Sequence, residues 1–229
     1  MKKIITSLFI LGSSLAVANE SPTISVSGTG SISGKPDTFS LIASVETSNK
    51  ESEKAITENT NIINNTMKLL KKAGLKDNNL KTENYSLSYR TDYNNRDNNT
   101  NNDMKYFVRN QITITSSDLK SAGEILTALN KGGMNNIGEI NFYIKNRKDL
   151  ENMAYKLAYE DAKSKATLIA NLENLKVTPK NIDLSFNSPR PLPFMLNGSF
   201  KADSAPILVT VPSNIDVTAS LNATFYMEK

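Results

Sequence analysis

Five alanines, Ala154, Ala158, Ala162, Ala166 and Ala170, stand four residues apart, and no other pattern restricts the fold of this chain as much. At about 3.6 residues per turn, a four-residue step advances about 40° around a helix. The alanines therefore trace an inclined ridge and not a straight stripe. A ridge of such small side chains lets another helix or a sheet come unusually close. The spacing predicts a long helix over about 148–175, with Met153, Leu157, Ile169 and Leu172 flanking the ridge. Asp161 and Lys165 stand at i and i+4 with the acid first, the favourable orientation. Core packing explains such a ridge; contact of part of it with another subunit is the alternative.

Around that helix the periodicity alternates between two and about 3.6. Ile24, Val26, Gly28, Gly30 and Ile32 share one parity over 23–32, and glycine at alternate positions points to a bulge or a close backbone approach. Lys35-Pro36-Asp37 ends that segment. Phe39, Leu41, Ala43 and Val45 mark a second strand. Helical spacing then runs over 50–73 and stops at Gly74. A strand at about 81–93 carries Tyr85, Leu87 and Tyr89. The run 94–103 reads as a hairpin loop, and the return strand covers about 104–116. There Phe107 lies on one parity and Ile112 and Ile114 on the other, as a bulge or two partly buried faces would require.

A helix with Asp118 as its N-cap ends at Gly132-Gly133. A strand at 137–146 follows, and after the alanine helix come strands at about 181–187 and 215–227. The passages around Leu75-Lys76 and Leu175-Lys176 resemble each other, each leading to an Asn-apolar pair. The element order up to residue 146 contains β-α-β-β-α-β. The predicted fold class is α+β: a split β-α-β-β-α-β core with a mainly antiparallel sheet, extended by the Ala-rich helix and C-terminal strands.

The N-terminus carries an export signal. Met1-Lys2-Lys3 is positive, Ile4 to Leu15 is apolar or small, and Ala16-Val17-Ala18 gives the small-x-small pattern a signal peptidase reads, with cleavage expected after Ala18. About twelve apolar residues are too few to cross a bilayer, which takes about twenty, so no transmembrane anchor is expected. Residues 1–18 are thus expected to be a signal peptide. Residues 19–229 form one unit, with 23–146 and 147–229 as its candidate subdivision. The expected location is periplasmic.

Composition closes several chemistries. The chain has neither Cys nor His, so Ser-His-Asp and Cys-His nucleophiles are impossible. Haem ligation by those residues is excluded too, and a zinc site would have to be all-carboxylate. No metal, cofactor or catalytic residue is expected. Without Lys2 and Lys3 the balance is 25 basic to 23 acidic residues, too even for a nucleic-acid partner. Gly28-Thr29-Gly30-Ser31-Ile32-Ser33-Gly34-Lys35 fails as a phosphate loop, because Thr29 and Pro36 stand where the pattern needs Gly and Ser or Thr.

The stretch Ser188 to Ser213 is too long for an idle connection. Phe194, Met195 and Leu196 within it form the candidate oligomer contact. A lid over a peptide or small-ligand site is the alternative use of that stretch.

Taken together, three blocks carry a family resemblance over about 23–228. They are Ile24-Ser25-Val26-Ser27-Gly28-Thr29-Gly30 with Lys35-Pro36-Asp37-Thr38; Ala158-x-x-Asp161-Ala162-x-x-Lys165-Ala166; and Val217-x-Ala219-x-Leu221-x-Ala223-x-Phe225. The chain resembles the SIMPL-domain family, the domain of unknown function 541, although Ser213-Asn214 stands where relatives usually have Gly. That family includes periplasmic immunogenic proteins and proteins linked to oxidative-stress defence, and some members form large ring- or channel-like oligomers. The resemblance implies a periplasmic, self-associating, non-enzymatic homo-oligomer and supplies no catalytic residues.

Overall fold

A computed structural model of the chain describes residues 21–92, 104–185, 193–194, 207 and 209–229. The chain runs β1 (Thr23–Gly34), β2 (Thr38–Asn49), α1 (Ser52–Lys72), β3 (Leu80–Thr91), β4 (Met104–Ser116), α2 (Ala122–Gly132), β5 (Asn136–Tyr143), α3 (Lys148–Leu172), β6 (Lys176–Ser185), a two-residue β7 (Pro193–Phe194) and β8 (Ile215–Glu228). The expected α+β class is the observed one. Two antiparallel sheets result, one in the order β3-β4-β2-β5-β7 and one in the order β1-β8-β6. From β2 to β5 the chain follows the split β-α-β-β-α-β order.

The five-stranded sheet is built by alternation. Phe39, Leu41, Ala43 and Val45 of β2 turn to one face, beside Ile112 and Ile114 of β4 and Ile140 and Phe142 of β5. Ile125, Leu126 and Leu129 of α2 and Leu70 of α1 close over them. Helical periodicity of apolar residues locates α1, but two of its inward positions are polar. Asn59 is buried and donates to the Val108 carbonyl at 3.0 Å, and Thr66 sits against Gly132. At β4 the two-face reading holds, since β2 and β4 pair without a register shift. The bulge lies on β3, between Thr82 and Asn84.

Several boundaries move for identifiable reasons. Asp118 caps a single 3-10 turn, Leu119–Ser121, by accepting from the Lys120 N–H, and the α-helix begins only at Ala122. β6 starts at Lys176, earlier than apolar alternation suggests, because the long β8 offers it partners from Glu228 onward. Within the stretch read as irregular, Pro193 and Phe194 add to the edge of β5 opposite Asn141 and Ile140. Ile207, Val209 and Val211 pack on the core. The two look-alike passages share one geometry. Gly74 and Asn174 take positive φ, and Leu75 and Leu175 donate back to the carbonyls of Leu70 and Ala170, the αL helix stop.

The smaller sheet has α3 on one face. All five ridge alanines are fully buried; Ala154, Ala158, Ala162 and Ala166 pack against Val217, Ala219, Leu221, Ala223 and Phe225 of β8, and the helix also lies against β1. A Cβ on Gly28 would stand 2.8 Å from the Ala162 Cβ, and one on Gly30 2.7 Å from the Leu157 Cβ. Both would lie nearer still to carbonyl oxygens of the helix backbone. Helix and strand backbones thus touch where alternate glycines meet the alanine ridge. The ridge is covered by the chain's own sheet.

This contact makes a graded prediction. Gly28→Ala and Gly30→Ala are each expected to destabilise by about 3 kcal/mol, the upper end for an overpacked core. Gly34→Ala should cost less, since its added methyl meets only the side-chain ends of Ile144 and Leu150. Urea denaturation midpoints measure the order; equal midpoints for the three variants would contradict the close approach.

Candidate functional site

β1 is an edge strand, with outward N–H and C=O groups that can pair with foreign chains. Helix α3 occupies two of them. Asp161 and Lys165, one turn apart, share a side of the helix. The Thr29 N–H donates to Asp161 Oδ2 at 2.9 Å. The Lys165 ammonium donates to the same oxygen at 2.6 Å and to the Ser27 carbonyl at 3.1 Å. The hydrogen bond from Lys165, and then the one from Thr29, hold the Asp161 carboxyl below its ordinary value of 3.8. The pair clamps the strand edge shut.

A second polar latch sits where the chain leaves β1. Pro36 cannot donate to a ladder, and Asp37 takes over. Its carboxylate accepts from the Lys145 N–H at 2.9 Å and from the Thr38 hydroxyl at 2.7 Å, while its own N–H donates to the Tyr143 carbonyl at 3.2 Å. The start of β2 is thereby tied to the end of β5. Burial, then the neighbouring Asp37 charge, raises the Tyr143 phenol above 10.0, and the hydrogen bond with Thr115 works against them.

At the far edge of the larger sheet the arrangement is the opposite. Helix α1 packs on β2 and β4, and among the described residues nothing covers the helix-side face of β3. Tyr85, Leu87 and Tyr89 stand there opposite Asn110, Val108 and Tyr106, and they are 53 %, 46 % and 56 % exposed. The Tyr89 and Tyr106 rings meet at 4.6 Å between centroids, tilted by 40°. Among the described residues β3 ends its sheet, so twelve residues without proline present a backbone edge with no strand partner there, beside an apolar stripe. On α3, Met153, Leu157, Ile169 and Leu172 are also exposed.

Residues 24–225 match the SIMPL family, described as proteins of unknown function (DUF541). This chain belongs to the SIMPL family. Its relatives include the 26 kDa periplasmic immunogenic proteins of Brucella melitensis biotype 1 and of Brucella abortus strain S19. Each is 27 % identical over 206 residues, which span 87 % of this chain and 80 % of the relative. The family match begins on β1 and ends on β8, the two strands that α3 covers. In this SIMPL chain the resemblance blocks become one assembly: glycines under alanines, an acid-base pair on the strand edge, and an aspartate latch at the strand exit.

The residues singled out in the sequence are placed as follows. The backbone of Phe194 pairs with Ile140, whereas Met195, Leu196 and the cleavage residues Ala16 and Ala18 lie outside the described residues. No helix among the described residues is long and apolar enough to cross a membrane. The open edge of β3 was not anticipated as a site. Its alternating Tyr85, Leu87 and Tyr89 are legible in the sequence, but their exposure depends on α1 not reaching over β3.

The clamp has a pH signature. A carboxyl lowered on folding stabilises fully above its unfolded value, near 3.8, and loses that contribution as pH falls through the lower folded value. Wild type should therefore melt above Asp161→Asn at pH 7, and the gap should narrow progressively below about pH 4. Thermal melts of both proteins at pH 7 and pH 2.5 measure it, and a gap independent of pH would remove the ionised clamp.

Proposed function

We propose that this SIMPL protein is a non-enzymatic periplasmic protein that self-assembles through the open edge of β3, in a role in envelope or oxidative-stress defence. The periplasmic reading is supported by the export pattern of the first eighteen residues and by relatives named periplasmic. The stress association rests on the family resemblance. The non-enzymatic reading rests on a chain with no His and no Cys. One observation carries self-assembly: a strand whose outer edge has no partner among the described residues and whose exposed stripe is Tyr85, Leu87 and Tyr89. An unprotected edge of that length is a template for another strand.

The sequence of β3 selects a register with a second copy. Opposite residues in an antiparallel pair share a face only when their parity matches. The stretch beyond the bulge, 84–91, is nearly centred on Leu87. Pairing about Leu87 sets it against its own counterpart, Tyr85 against Tyr89 of the second copy, and Asn84 against Arg90. No like charges then face each other, and the apolar stripe runs unbroken through both copies. Each aromatic cross-strand pair contributes up to about 1 kcal/mol. Pairing about Tyr85 would instead set Glu83 against Leu87 and Lys81 against Tyr89.

The absence of native cysteine makes the test direct. Leu87→Cys should yield a covalent dimer on mild oxidation, because opposite Cβ atoms lie about 4.5–5.5 Å apart. Ser31→Cys, on the outer face of β1, should not crosslink. Light scattering on Tyr85→Lys/Leu87→Glu should give a monomer with an unchanged circular dichroism spectrum. A wild-type protein that stays monomeric at all concentrations would sink self-assembly. An oligomer unaffected by the double substitution would remove β3 from it.

A further inference from the structure

The face of the five-stranded sheet turned away from α1 and α2 holds a polar concavity of about 380 Å3, within the range of small-ligand sites. β2, β4 and β5 supply most of its wall, including Ser44, Glu46, Phe107, Arg109 and Asn136, and Asp92 closes one side. Ser44 and Phe107 are buried. Asn135 fixes the rim: its side-chain oxygen accepts from the Glu46 N–H at 3.0 Å and its amide donates to the Glu46 carbonyl at 2.8 Å. Floor and rim are therefore preformed.

The charges are distributed unevenly. Glu46 lies directly across from Arg109 in the strand register, yet its carboxylate bonds Arg90 at 2.8 Å. Arg90 is held there by stacking on Phe107, 4.0 Å from the ring centroid. Asp92 is bonded by Lys105 at 2.8 Å. Two acids are thus matched by two cations, and Arg109 makes no ion pair among the described residues. One partly buried guanidinium is left to the concavity, with the Ser44 hydroxyl and the Asn136 amide on the same wall.

We propose that this concavity binds a singly charged carboxylate of a small organic molecule or a short peptide terminus, with Arg109 as its receptor. A guanidinium presents a planar fork that matches a carboxylate bidentately. The neighbouring Glu46 and Asp92 disfavour a doubly charged phosphate, for which one uncompensated cation is too few. Neutral donors on the wall, Ser44 and Asn136, suit the remaining lone pairs of a carboxylate. This inference does not depend on self-assembly, because the site lies on the sheet's outer face and not along the β3 stripe.

The test is a titration of the 15N-labelled full chain, followed through the Arg109 side-chain N–H and the Ser44 and Asn136 backbone amides. The probes are N-acetyl-L-alanine, N-acetyl-L-alanyl-L-alanine, N-acetyl-L-alaninamide and inorganic phosphate. Both carboxylates should shift those signals, and the tighter of the two distinguishes a small acid from a peptide terminus as the natural source. The amide should leave the signals in place, and phosphate should bind at least tenfold more weakly. Arg109→Gln should abolish the shifts, and Arg109→Lys, which keeps charge and bulk but loses the fork, should weaken binding about tenfold. Lys163→Gln on α3 should change nothing. The proposal is overturned if wild type shows no saturable shift, if amide or phosphate matches the carboxylates, or if Arg109→Lys binds as wild type does.

Discussion

The near-contact of the α3 backbone with the β1 backbone is the constraint on which the smaller sheet depends. Gly28 and Gly30 leave no side chain between the two elements, and the buried alanine ridge adds only methyl groups. Dispersion grows steeply as surfaces approach, so many small contacts replace the few large side chains of an ordinary core. The arrangement also spans the sequence. A strand near the start of the described chain and one at its end are held together under a helix that lies more than a hundred residues from the first. Closing so long a segment costs conformational entropy, and the twelve-residue β1–β8 ladder and the tight helix contact together offset it.

That geometry also explains why Asp161 and Lys165 are useful. A helix lying so close to an edge strand brings its side chains within reach of the strand's free N–H and C=O groups. The edge of β1 is sealed from the helix side, and on its outer face Ser and Thr pair across to β8 through side-chain bonds such as Ser25 with Thr224 and Ser31 with Thr218. Among the described residues β3 has no comparable guard. The Arg90–Glu46 ion pair lies on the opposite face of the sheet and leaves the apolar stripe uncovered. One chain therefore contains a protected edge and an open one, and the contrast supports reading the open edge as a place of association.

Much of this was legible in the residues. The strand parities of β1, β2, β5 and β8, the helix stops at Gly74 and Gly133, and the long alanine helix follow from short-range periodicity and turn chemistry. The alternate glycines pointed to a bulge or a close backbone approach, and the contact with α3 makes it the approach. Other features were not legible, and for definite reasons. Asn59 and Thr66 occupy buried positions on α1 because strand carbonyls and a neighbouring glycine receive them, which no apolar count detects. Asp37 reads as part of a strand break, and only the return of β5 beside it makes it a latch. Lys176 to Lys180 lack strand alternation and become strand because β8 is long enough to pair with them.

By itself, the sequence determined the local elements, the exclusion of His and Cys chemistry, and the family to which the chain belongs. Those follow from residue type and spacing over a few positions. Tertiary structure decided which surfaces are covered: the alanine ridge by the chain's own β1 and β8, the β1 edge by α3, the helix-side faces of β2 and β4 by α1 and α2, and the stripe on β3 by nothing among the described residues. Coverage depends on how far a helix reaches across a sheet. That is set by the packing of elements far apart in the chain, and the period of any single segment carries no record of it.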